Sequence, residues 1–107
     1  MLQSKYDRVP NQHMVGQVKR YVELGVTPSH FLYSLFANDL VGTYGRADKA
    51  NRACMADWVI FIFNDLNSKA WGSPEKVDEW CRTGGEQGSK METAKAREAL
   101  ARELYNE

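Results

Sequence analysis

All three prolines of this chain stand where a helix can begin, and that regularity does more than any other to limit its fold. Proline is tolerated at the first helical position, where its missing N–H has no intrahelical partner and its fixed φ suits the helix. Pro10 follows an arm, Met1 to Val9, that has little periodicity and is expected to be loosely held. Thr27-Pro28 and Ser73-Pro74 each add a hydroxyl able to cap the first turn, and Glu75 adds a carboxylate where the helix dipole favours one.

Periodicity extends each start into a helix. From Pro10 to Leu24, Met14, Val18, Tyr21 and Val22 form one apolar stripe, and Gly25 follows as a left-handed stop. The stretch opened by Thr27-Pro28 carries Phe31, Leu32, Tyr33, Leu35, Phe36, Leu40 and Val41 around most of its circumference. It is expected to be one buried central helix, in which Asn38 and Asp39 need partners. Gly42 and Gly45 should loosen or break it. Asp48 can cap a further helix through the apolar run Trp58 to Phe63 to Leu66. A strand would also suit that run, but Ala50, Ala53, Met55 and Ala56 feed into it as good helix formers, which favours helix. After a loop from Asn67 to Gly72, the Ser73 helix presents Val77, Trp80 and Cys81, stops at Gly84-Gly85 and gives way to a flexible link, Glu86-Gln87-Gly88. Ser89 and Glu92 form a capping box for a last helix whose sizeable apolar residues are Met91, Leu100, Leu104 and Tyr105. That thin stripe either packs lightly on the body or waits for a second chain.

The expected fold is therefore all-α: a single-domain bundle of about five helices, with residues 1–88 as the helical core and 89–107 as an amphipathic extension or oligomerisation arm. At 107 residues, 43% hydrophobic and 26% charged, the composition is that of one globular domain too small to enclose a deep site alone. Fourteen basic residues balance fourteen acidic ones, so no strongly basic face announces a polyanion, and a nucleic-acid partner is not expected. Cys54 and Cys81 have no framework spacing and read as free thiols in a cytoplasmic setting. The longest apolar run, six residues, is far short of the ~20 needed to cross a membrane.

No GxSxG, HExxH, GxGxxG or paired cysteine-histidine spacing is present. His13, His30, Cys54 and Cys81 lack metal-ligand spacing, so neither metal nor cofactor is expected. A helix-turn-helix reading of the middle helices fails on charge, because Asp48 and Asp57 offset Arg46, Lys49 and Arg52. The densest polar cluster is Asn38, Asp39, Tyr44, Arg46, Asp48, Asn51 and Arg52, at the junction of the two most apolar helices. On one account it is structural: Asp48 caps a helix, and Arg46 or Arg52 neutralises Asp39. On the other, arginines, amides and a ring hold a planar anionic ligand such as a nucleotide. The first account is favoured, because buried polar groups must be paired whether or not anything binds. Trp58 reads as core, Trp71 as a cover over the Ser73 helix start, and Trp80 as core or as the centre of a contact surface; Leu100, Leu104 and Tyr105 of the last helix are further interface candidates.

The order Val26-Thr27-Pro28-Ser29-His30-Phe31-Leu32, Asn38-Asp39-Leu40, Gly45-Arg46-Ala47-Asp48 with Asn51, then Trp71-Gly72-Ser73-Pro74-Glu75 with Trp80 and Gly84-Gly85, resembles a family of small phage and prophage proteins. The resemblance covers residues 21–85; the family pattern ends soon after the paired glycines, so the last helix is an extension. It implies a phage-encoded accessory factor in the host cytoplasm that antagonises a host function, above all defence, by binding. The implied partner is either a host defence protein or a nucleotide immune signal, and a homo-oligomer would complete a site this small chain cannot enclose. A nucleic-acid-binding regulator of phage is the alternative, and a nucleotide hydrolase using Asp39 or Asp48 with a metal comes third.

Overall fold

In the computed structural model, which describes residues 4–88 and Arg102, only one of the three prolines opens a helix. The Asn11 side chain accepts from the His13 N–H, and a 3-10 turn over Gln12–Met14 leads into α1, Val15–Leu24, leaving Pro10 outside. Extended Ser29 is the N-cap of α2, His30–Phe36, so Pro28 also precedes its helix. Only at Pro74 does the expectation hold to the residue: Ser73 Oγ accepts from Lys76 N–H at 3.2 Å and Pro74 opens α6, Pro74–Thr83.

The single central helix is a correction, because the chain builds two. Asn38 takes a left-handed conformation (φ 65°), Asn38 N–H donates to Leu35 O and Asp39 N–H to Ser34 O. This is a Schellman ending with asparagine in the place usually held by glycine. Asp39 then caps α3, Leu40–Arg46. Asn38 and Asp39 are therefore exposed turn residues, and Gly42 and Gly45 lie inside α3 instead of breaking it. Asp48 caps α4, Lys49–Ala53, and Cys54 interrupts the expected long helix before α5, Met55–Asp65. At that break the Cys54 N–H bonds back three residues to Asn51 O, and its thiol turns to the Ala50 carbonyl at 3.3 Å. The apolar run is thus helical, and no strand occurs among the described residues.

Two segments expected to be loose are held. Lys5–Arg8 forms a 3-10 turn, Val9 is buried, and the Arg8 guanidinium forks onto Asp65 (Nε–Oδ1 3.0 Å, Nη2–Oδ1 2.6 Å). Lys5 Nζ reaches Glu86 at 3.1 Å. The segment after Gly84 is a helical turn, α7, Gly85–Gly88, packed on α1. Two positive-φ glycines permit that packing: a Cβ on Gly25 would lie 2.8 Å from both Trp80 O and Gly85 N, and one on Gly85 would lie 2.6 Å from Gly25 N. The expected C-terminal helix, with Met91, Leu100, Leu104 and Tyr105, lies outside the described residues.

The core centres on Tyr21, Phe36, Trp58, Phe61, Leu32, Val18, Val22 and Val77. Tyr21 stacks on Phe36 at 4.7 Å between centroids, and its hydroxyl donates to Ala70 O at 2.6 Å. Trp80 belongs to this core, which corrects the contact-surface expectation: it is 6% exposed and its indole N–H donates to Tyr21 O at 2.9 Å. Its N–H has a partner only inside the fold.

Gly25→Ala and Gly85→Ala each combine a left-handed backbone with a Cβ driven into main chain, and should cost at least about 2 kcal/mol. At about 4–8 °C per kcal/mol, that lowers Tm by some 10 °C or more in thermal unfolding. Gly45→Ala meets nothing within 4 Å and should be neutral or stabilising by up to about 1 kcal/mol. Equal losses at all three positions would refute the close-approach account.

Burial raises the phenols of Tyr21 and Tyr6 far above the ordinary value, and the Glu23 carboxylate adds to the effect at Tyr6. Unfolded tyrosine ionises near about pH 10, so this stability is complete below that pH and is lost as pH rises above it. Phenolate absorbance should show two of the five tyrosines ionising only as helical circular dichroism collapses. Ionisation of all five with the helices intact would overturn their burial.

Candidate functional site

The polar cluster at the α3–α4 junction divides into residues that build the fold and residues that face solvent. Asp39 Oδ1 accepts from the Gly42 N–H at 3.0 Å, and its carboxylate stands 4.0 Å from Arg46 Nη1, with both side chains about half exposed. Asp48 Oδ1 accepts from the Asn51 N–H at 2.8 Å. Asn51 is 3% exposed, and its Oδ1 accepts from Trp58 Nε1 and from Asn11 Nδ2, both at 3.1 Å. Three of the seven cluster residues thus cap helices or join the core to the N-terminal segment, and Asn38 serves as a helix stop.

Tyr44, Arg46 and Arg52 remain. Arg52 bridges α4 to α3: Nε donates to Tyr44 O at 3.1 Å, and the guanidinium carbon lies 4.8 Å from the centroid of the exposed Tyr44 ring. Guanidinium and ring together form a flat, stacked edge on the surface. None of these three side chains lines the groove beside α3, which Leu40 and Thr43 of that helix enter.

The sequence reading missed the exposed apolar residues of α3 and α5. Leu40 (71%), Val41 (81%) and Tyr44 (54%) are exposed on α3, and Val59 (54%), Ile60 (57%) and Phe63 (73%) on α5. Between the helices runs a groove of about 130 Å³, walled by Leu35, Leu40, Thr43, Met55, Val59, Ile62, Phe63 and Trp71, with Asn38 and Asp39 at its edge. Trp71 lines this groove. A signal was available in the spacing: α5 buries Trp58, Phe61 and Ile62 at i, i+3 and i+4, so the rest of a six-residue apolar run must point outward.

A second, larger hollow of about 780 Å³ runs along α6 past Lys69, Glu75, Lys76 and Glu79 to Glu86. Its charges are mixed and several are engaged, Lys76 with Ser68 O, Glu79 with Arg82 and Glu86 with Lys5. Among the described residues, no three histidine, cysteine, aspartate or glutamate side chains converge as a metal site. Burial pushes both thiols up, with Asp57 and Asp48 adding to the effect at Cys54. A reactive cysteine needs the opposite shift.

Asn51 and Arg52 test this division. Asn51→Leu strands the Trp58 N–H in the core and should cost about 2–3 kcal/mol, a Tm loss of about 10 °C or more by thermal unfolding. Arg52→Ala removes an exposed staple worth about 1 kcal/mol or less. The reverse order would overturn the division between a core Asn51 and an exposed Arg52.

Comparison with family models, with curated proteins and with solved structures finds no match to this chain.

Proposed function

We propose that this is a non-enzymatic binding protein that antagonises a host function through protein–protein contact, with the α3–α5 face as its contact surface. One observation carries the reading: six large apolar side chains on α3 and α5 are each more than half exposed, and three of them, Leu40, Val59 and Phe63, wall one groove. The largest apolar patch on a free monomer is commonly about 300–600 Å², and contiguous exposure at or above that range marks an interaction site. The stacked Tyr44–Arg52 edge adds the two residue types, tyrosine and arginine, that most often anchor interfaces.

The nucleotide-signal reading has less to rest on. It needs the polar junction as a pocket, and Asp39, Asp48 and Asn51 are engaged in capping and core bonding. Nucleic-acid binding needs a basic footprint, whereas the chain balances fourteen positive against fourteen negative side chains. The resemblance to phage proteins is what points to a host protein as the target.

Tagged protein should retain a host protein from bacterial lysate in a complex that persists at raised salt, and Phe63→Asp should lose it while keeping its helical circular dichroism. A complex that survives both Phe63→Asp and Val41→Lys would remove this face from the function. In parallel, cyclic dinucleotides and ADP-ribose derivatives at a hundred times a useful Kd should leave Tm unmoved. A bound ligand would add about 2.7 kcal/mol, and a shift of that size abolished by Arg46→Ala or Arg52→Ala would establish the nucleotide reading instead.

A further inference from the structure

We draw no further inference here: the strongest candidate, the apolar groove between α3 and α5 that Leu40, Val59 and Phe63 wall, belongs to the contact surface already proposed, and nothing in the structure shows what covers it.

Discussion

Tyr21 is the residue on which the rest of the packing depends. Its ring stacks on Phe36 of α2, its hydroxyl donates to Ala70 in the connection before α6, and its own carbonyl accepts from both Gly25 N–H and the Trp80 indole of α6. One buried side chain thereby ties three helices and a loop together through one stacked pair and paired polar groups. Each of those groups would cost about 1–3 kcal/mol if stranded, so the arrangement tolerates little rotation of α1 against α6. The backbone contact of Gly25 with Gly84 and Gly85 follows from it, since Trp80 can reach Tyr21 O only if the two chain segments approach without side chains between them.

Once Tyr21 and Trp80 have drawn α1, α2 and α6 together, α3 and α5 lie at the margin of that assembly. From α3 only Thr43 is buried, its hydroxyl turned back to Asp39 O, while α5 gives the core one edge, Trp58, Phe61 and Ile62. Trp58 meets Phe31 edge-on at 5.8 Å and donates to Asn51, which holds α4 and α5 to the body. The opposite edges of α3 and α5 have nothing left within the described residues to pack against. A domain of this size has too little interior for every large apolar residue it carries. The exposed face is therefore where that surplus was placed, on two helices that flank one groove.

The helical class and the core stripes of α1 and α6 were legible because each rests on local rules: caps, periodicity and the glycine stop at Gly25. The paired helices α2 and α3 were not, because apolar residues on both sides of Asn38-Asp39 read as one continuous run. An asparagine can end a helix and the next aspartate can start another with no glycine or proline to announce it. The firmness of the N-terminal segment was also out of reach, since the Arg8–Asp65 fork joins positions 57 residues apart. Of the polar cluster, the capping role of Asp48 was readable from spacing, whereas the burial of Asn51 depends on Trp58 and Asn11 arriving from other elements.

The apolar face eluded the sequence reading for a more general reason. Hydrophobicity around a whole helix says that all of it is covered, without saying by what, and the economical assumption is one's own core. Geometry removes that assumption: a helix packed along one edge can bury only residues near i, i+3 and i+4. In α5, Val59, Ile60 and Phe63 fall outside that set while being as apolar as the residues within it. Selection for solubility alone would place charge at such positions, as α6 does with Glu75, Asp78, Glu79 and Arg82 on its exposed side. The contrast between α5 and α6 within one small domain is the physical ground for reading the α3–α5 face as a surface made to be covered.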